Sequence, residues 1–432
     1  MINLVIILAI IIAIGISYKT NINMGFFAIA FAYIIGCFLL NIKPAQVIGM
    51  WPTNVFFVIL ATSLFYNFAF VNGTLEKLSG YLLYACRKIP AVLPYAIFFV
   101  ATLIAAVGAG YFTVMVLITP LALLITKKAG MDPMVGALSS NYGAMIGASF
   151  MVSANGVVYR SLMESGGYGN SAFTYSIGIF VVSLIVAVFM IGGLILYSKK
   201  KNIVGNNLDI KKPEPFDKKQ KINLYLIIIM VITVLIPPIL HLIAPKNSVI
   251  TFINSRIDIG LIAIVFATIA SMAHLADGKK VIAKVPWNTL LLVSGVGILI
   301  SVAVKAGTIK LLASWVSGSI PLTLIPIAVT GIGIVMSFFA SLIGVVIPAL
   351  FPVIPSIAQA TGINPMLLYI CIVIGAQAST ISPFSTGGAM VMGYSETDEE
   401  RNSMFKKELF RALPVCSAAA LLMTVIISFI IK

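Results

Sequence analysis

Two stretches of this 432-residue chain put hydroxyls, amides and glycines inside long apolar segments. The first reads Gly143-Ala144-Met145-Ile146-Gly147-Ala148-Ser149-Phe150-Met151-Val152-Ser153-Ala154-Asn155-Gly156. The second reads Gly375-Ala376-Gln377-Ala378-Ser379-Thr380-Ile381-Ser382-Pro383-Phe384-Ser385-Thr386-Gly387-Gly388. Pro383 removes a backbone donor, and glycines permit non-helical turns. Each stretch therefore reads as a helix broken partway along its length. A broken helix leaves free N–H groups and a positive dipole end. Such an end favours an anion by about 0.3–1 kcal/mol, and up to ~2 kcal/mol when partly buried. Further N-termini are expected at about Gly110 and Ser341, next to small-residue interruptions. An anion could then be held without any Arg or Lys, which suits a site that must release its cargo. Small residues also let helices pack closely. For any single residue here, packing is the simpler reading. For Ser385-Thr386-Gly387-Gly388 after Pro383, matched by Ser153-Ala154-Asn155-Gly156, a binding role is the stronger one.

No enzyme constellation accompanies these stretches. The two histidines, His241 and His274, belong to no metal motif, and the 13 acidic residues lie at segment ends or in loops. A charge at mid-bilayer costs at least ~2.5–3.5 kcal/mol and usually marks function. With no such acid evident, no proton relay is expected. Cys37, Cys86, Cys371 and Cys416 are scattered without a CxxC pair and read as buried free thiols. The chain is 60% hydrophobic and 9% charged, and its mean hydropathy is +1.10. Apolar runs long enough to cross ~30 Å of hydrocarbon recur from end to end. The net charge of +15 therefore reads as membrane orientation, not as nucleic-acid binding. Residues 2–17 lack the basic start and small-residue cleavage site of a signal peptide, so they read as a retained helix.

The elements that must position the broken stretches occur twice. Ala129-Gly130-Met131-Asp132-Pro133-Met134 returns as Thr361-Gly362-Ile363-Asn364-Pro365-Met366, 232 residues on. At that offset Pro120 falls on Pro352, Gly143 on Gly375, Ser153 on Ser385 and Gly156 on Gly388. Upstream, with slight drift, Trp51 meets Trp287 and Gly25 meets Gly260. Matched small-residue breaks in a duplicated membrane chain point to a secondary transporter and to its binding site. The expected units are residues 1–198, a basic linker at 199–221, and residues 222–432.

The first unit has apolar stretches at 2–18, 24–41, 54–72, 90–126, 133–160 and 171–197, with an amphipathic one at 74–88. The second has 223–243, 257–275, 288–305, 320–358, 365–394 and 410–431, with an amphipathic one at 308–317. The stretches at 90–126 and 320–358 are too long for one helix. Each breaks near its middle, at Gly108-Ala109-Gly110 and at Ala340-Ser341 before Gly344. Read as re-entrant hairpins, they leave five crossings per unit, and an odd number inverts the two repeats. With the linker in the cytoplasm, 21 of the 28 basic residues fall on that side, Lys284 among them, as the positive-inside rule requires. Two full crossings per hairpin would also invert the repeats, and charge alone does not separate the two topologies. The expected fold is thus all-α and integral to the membrane, with about ten transmembrane helices and two hairpins.

Pro286-Trp287-Asn288-Thr289-Leu290-Leu291-Leu292, Lys305-Ala306-Gly307-Thr308, the Phe339-Ala340-Ser341 tip and Ser382-Pro383-Phe384-Ser385-Thr386-Gly387-Gly388-Ala389 resemble the malonate/dicarboxylate carrier family. That family is a branch of the ion-transporter superfamily that includes the divalent-anion:sodium symporters. Gly108-Ala109-Gly110 through Pro120-Leu121-Ala122-Leu123 is similar to its first hairpin. The resemblance implies an elevator transporter in the plasma membrane, usually a homodimer, with scaffold and transport bundles. It places a small organic anion at Gly110, Thr113, Ser149, Ser153, Asn155, Ser341, Ser379, Thr380, Ser382, Ser385 and Thr386. It places a coupling cation, Na+ or H+, at Gly108, Ala154, Gly156, Ala340 and Gly387. No resident cofactor is implied. The symporters' Ser-Asn-Thr at each tip is replaced here by Gly110-Tyr111-Phe112-Thr113 and Ala340-Ser341-Leu342. An inorganic-ion carrier or cation/proton antiporter on the same fold is the competing reading. A membrane enzyme or assembly factor has no residues to support it.

Overall fold

The computed structural model describes residues 2–20, 22–86, 93–198, 212–244, 246–308, 311, 318–339, 341–395 and 397–431. The described residues are helical, with no strand. Most of the linker, most of the amphipathic stretch at 308–317, the Arg87–Lys88 pair and Ala340 lie outside them. The first half runs α1 (Ile2–Thr20), α2 (Met24–Tyr33), α3 (Pro44–Ile48), α4 (Thr53–Val71), α5 (Thr74–Cys86), α6 (Leu93–Ile104), α7 (Tyr111–Lys128), α8 (Pro133–Ala148), α9 (Ala154–Met163) and α10 (Ala172–Ser198). The second half begins with α11 (Lys218–Ile243), α12 (Ser248–Arg256), α13 (Ile259–Met272), α14 (Gly278–Ala283) and α15 (Trp287–Lys305). It continues with α16 (Ile325–Phe339), α17 (Ile347–Leu350), α18 (Ile354–Thr361), α19 (Pro365–Ala378), α20 (Thr386–Gly393), α21 (Asp398–Lys407) and α22 (Leu413–Ile430).

Among the described residues, six helical stretches are long and apolar enough to cross a bilayer unaided: 53–71, 172–193, 218–241, 287–305, 342–361 and 398–430. The pair α12 and α13, bent by 68°, makes a seventh if it counts as one span. The shorter apolar helices include α6, α7, α16 and α19, which flank the expected breaks. Backbone interrupted at that depth has to be satisfied by protein or by a water-lined cavity.

Both broken helices break where the sequence places the break. α8 stops at Ala148, and α9 restarts from Ser153 at φ −93°, ψ 171°. α19 stops at Ala378, and α20 restarts from Ser385 at φ −89°, ψ 162°. The two N-caps share one extended conformation at the 232-residue offset. Asp132 and Asn364, both followed by proline, cap α8 and α19 in the same way.

The close contacts repeat at the same spacing. A Cβ on Gly143 would overlap the Phe98 carbonyl of α6, and one on Gly375 would overlap the Thr330 carbonyl of α16. Gly156 sits on the Phe150 carbonyl, and Gly388 sits on that of Ser382. Between the halves the packing is reciprocal. α2 lies on α15, and α4 lies on α13. Gly25 and Gly295 touch through their backbones where α2 and α15 cross. Thr308 donates to Asn3 at 2.8 Å, and Gln220 donates to the Asn72 carbonyl at 3.0 Å. Each half thus ties its first helix, α1 or α11, to the turn after α15 or α4 of the other half.

Four details depart from the sequence reading. The linker does not extend to 221. A capping box between Asp217 and Gln220 starts α11 at Lys218. The connection at 244–256 holds α12, capped by Asn247, with no counterpart in the first half. Short helices α3 and α14 precede Trp51 and Trp287. The second arm at 342–361 is cut into π, α and 3-10 pieces. Pro348, Pro352 and Pro355 each remove an N–H there, whereas α7 carries Pro120 alone and stays continuous.

Gly375→Val is expected to cost about 1–3 kcal/mol, because a rigid carbonyl cannot yield to the added side chain. Gly193→Ala, with nothing within 4 Å, is the neutral control. Thermal unfolding in detergent checks the pair, and equal melting would show that the close approach is not required.

Candidate functional site

Gly108 and Gly110 set up the first interruption. Gly108 has φ +101°, and Gly110 has φ +71° with ψ 161°, regions closed to side-chain-bearing residues. The turn brings Gly108 flat against the Tyr66 ring of α4, where a Cβ would overlap it. α7 then begins at Tyr111 with no side-chain cap. In the second half, Ser341 accepts from the Gly344 amide at 3.2 Å, and Gly344 lies against Leu292 of α15. Each interruption therefore meets the matching helix, α4 or α15.

These interruptions and the two breaks surround one cavity of about 230 Å³. Of the expected substrate residues, Gly110, Thr113, Asn155, Ser341, Thr380, Ser385 and Thr386 line it. Of the expected cation residues, Gly108, Ala154 and Gly387 line it as well.

The other expected residues sit behind this wall, and their polar groups are already used. Ser153 donates to the Ala105 carbonyl and pins the first break to the first interruption. Ser379 donates to the Ile334 carbonyl at 2.7 Å. Ser382 accepts from the Phe384 amide at 3.2 Å. Ser149 donates to the Met145 carbonyl at 2.9 Å and shares a 3.3 Å contact with the Tyr159 hydroxyl. Gly156 is pressed on the Phe150 carbonyl. Ala340 is outside the described residues.

A buried polar chain links the two breaks. The Tyr111 hydroxyl donates to Asn141 Oδ1 at 2.7 Å, and Asn141 Nδ2 donates to Thr380 Oγ1 at 3.3 Å. Thr380 donates to the Gln377 carbonyl at 2.8 Å, and Gln377 Nε2 donates to Ser149 Oγ at 3.3 Å. Ser385 Oγ lies 2.6 Å from the Thr380 carbonyl and 3.4 Å from the Gly388 amide. Because Ser153 spends its hydroxyl on Ala105, α9 has no side-chain cap. The N-termini of α7 and α9 thus both open on the cavity without one.

Sequence reasoning missed one wall. Thr62, Ser63, Tyr66 and Asn67 of α4 line the cavity, with Thr289, Lys284 and Ser337. The signal was present: positions 62, 63, 66 and 67 form one polar stripe on an otherwise apolar helix. Asn67 Nδ2 donates to the Val281 carbonyl at 3.1 Å, which joins α4 to α14. Lys284 is exposed at the rim, its ammonium 5.1 Å from the Phe70 ring centroid. The Tyr66 hydroxyl and Ser337 Oγ are buried and have no hydrogen-bond partner among the described residues. Both belong to residues lining the cavity, and a buried polar atom without a partner marks a place where the interior's hydrogen bonding is incomplete. No group of three metal-ligating side chains occurs among the described residues.

Residues 1–148 match the family model described as the dicarboxylate carrier protein MatC N-terminus. No curated protein matches the chain. Among solved structures, the YdaH transporter of Alcanivorax borkumensis is similar with a TM-score of 0.60 and 15% identity, over 89% of this chain and 87% of that one. MtrF of Neisseria gonorrhoeae, which illuminates a class of antimetabolite efflux pumps, is similar with a TM-score of 0.57 and 12% identity, over 93% and 85%. The proteins this chain is similar to are carriers and transporters, not enzymes. Over its first 148 residues the chain is thus similar to the dicarboxylate carrier family, and along most of its length it has the fold of solved membrane transporters.

Proposed function

We propose that this protein is a secondary transporter of small organic anions of the dicarboxylate type, driven by a coupling cation. The carrying observation is the pair of buried, unpartnered hydroxyls, Tyr66 and Ser337, in a cavity onto which two uncapped helix N-termini open. Carboxylate oxygens accept hydrogen bonds only, so they suit a wall of donors. The volume is below the ~300–1,000 Å³ of drug-sized sites, as fits a small metabolite. Lys284 at the rim adds a positive charge that attracts anions without fixing them. Backbone oxygens at Gly108, Ala154 and Gly387 are candidate partners for Na+.

In this reading residues 1–198 and 222–432 are inverted repeats joined by a cytoplasmic linker in the plasma membrane. The interruptions at Gly108–Gly110 and at Ser341 are re-entrant tips. The bundle of tips and broken helices carries the anion past α4 and α15 in an elevator movement, within a homodimer. The reciprocal packing of the halves and the matched breaks support this arrangement.

Thermal stabilisation of the purified protein is the first test. Malonate or a four-carbon dicarboxylate at 100 times its Kd adds about 2.7 kcal/mol of apparent stability. No shift with any carboxylate, with Na+ or K+ present, would sink the substrate class and favour the inorganic-ion reading. Tyr66→Phe and Ser337→Ala should each weaken binding roughly tenfold or more, since a hydrogen bond to a charged group contributes about 1.5–3 kcal/mol. Neither should lower the melting temperature of the unliganded protein, because neither hydroxyl has a partner to lose. Lys284→Gln should weaken binding only about two- to fivefold, and less at high salt, as for an exposed charge.

A further inference from the structure

The last helices hold an acid that the cavity does not use. Glu408 starts the π turn between α21 and α22 and is wholly buried, at 0% exposure. Neither of its carboxyl oxygens has a hydrogen-bond partner among the described residues. In sequence it stands at the end of an apolar segment, which is why it reads there as a solvated residue. In the fold α21, the π turn and α22 run on as one helical stretch, and the segment end lies inside the protein.

The cations nearest in sequence do not neutralise it. Lys407 is 2.8 Å from Asp132 at the start of α8. Arg401 is paired with Asp398, and Lys406 and Arg411 are exposed. From α7, Lys127 is paired with Glu400 at the far end of α21, while the Tyr111 hydroxyl lies within Coulombic reach of the carboxyl. The buried titratable groups of α8 and α22 are Tyr142, whose hydroxyl donates to the Ala378 carbonyl at 3.4 Å, and the Cys416 thiol. α20, packed between α7 and α21, carries no charged residue. An unpaired carboxylate in such surroundings is unfavourable, and the neutral acid is the form that burial favours.

Glu408 is tied to the cavity by two routes. Tyr111 lines the cavity and reaches Thr380 through Asn141. Phe384, beside the Ser385 cap, packs edge-on against Phe405 of α21 with ring centroids 5.9 Å apart. The second break is therefore in contact with the helix that leads into Glu408.

We propose that Glu408 is the proton-binding group of this carrier, carrying H+ with the anion. It rests on the transport function proposed above and selects the coupling ion. With Glu408 closed to water in this conformation, the bare carboxylate is disfavoured while the cavity has this shape. Release of the proton requires water to reach it, which ties release to a different arrangement of α21 against α7 and α8. The step breaks one O–H bond and passes one proton to solvent.

The test uses the full chain in proteoliposomes, with malonate or a four-carbon dicarboxylate as labelled anion. Wild type should accumulate the anion against its gradient when the outside is acidic. One pH unit supports roughly tenfold accumulation per coupled proton. Glu408→Gln, neutral and nearly isosteric, should lose that accumulation and keep anion exchange in the absence of any pH gradient. Glu408→Asp, which can still titrate, should keep part of the accumulation. Accumulation by Glu408→Gln equal to wild type overturns the inference alone, as does wild-type exchange that ignores the pH gradient. Those wild-type measurements decide the matter if the variant does not fold. Failure of wild type to exchange any dicarboxylate overturns the transport reading, and this inference with it.

Discussion

A helix that stops in the middle of an apolar layer frees backbone groups that lipid cannot satisfy, and this protein does so twice, after Ala148 and after Ala378. The rest of the architecture follows from how those groups are accommodated. Ser153 closes the first break onto the Ala105 carbonyl, and Ser385 closes the second onto the Thr380 carbonyl. Gln377 and Asn141 stitch the two breaks together from behind. At the cavity α7 and α9 begin without side-chain caps, and Tyr66 and Ser337 have no partner among the described residues. The cavity is the place where the interior's hydrogen bonding is left incomplete.

Bringing the breaks together requires backbones closer than ordinary side chains allow. Gly143 on Phe98 and Gly375 on Thr330 let α8 and α19 lie directly on the arms that precede them. Gly108 lets the first interruption touch the Tyr66 ring. In a membrane, where burying apolar surface gives no net drive between helices, such close packing and the polar ties are what hold elements together. The contacts recur at one offset because the same small residues recur at that offset.

Charge is used sparingly, and its placement separates two roles. Lys284 stands exposed beside the cavity, its ammonium near the Phe70 ring. Ion pairs such as Lys407–Asp132 anchor α21 to the turn before α8 at the molecule's edge. Glu408, by contrast, is buried and has no hydrogen-bond partner among the described residues. An acid enclosed in that way is the exception in a chain that otherwise keeps its acidic residues at segment ends.

The chain by itself determined where the helices break. Glycine, proline and Ser or Asn before a helix act on their own few residues, so Pro383, Ser385, Ser153 and the Gly108–Gly110 turn could be read without any neighbour. The duplication was legible for the same reason, from Asp132-Pro133 and Asn364-Pro365 onward. Which of the polar residues at those breaks face the cavity was not legible. Ser149, Ser153, Ser379 and Ser382 look identical in kind to Ser341 and Ser385, and only the helices packed around them decide which of the six line the cavity. The α4 wall was written as a stripe at 62, 63, 66 and 67, but its facing could be judged only once the Gly108 turn was seen against Tyr66. Burial of Glu408 was beyond the sequence altogether. An acid at a segment end is solvated or enclosed according to what packs over it, and that depends on helices far away in the chain.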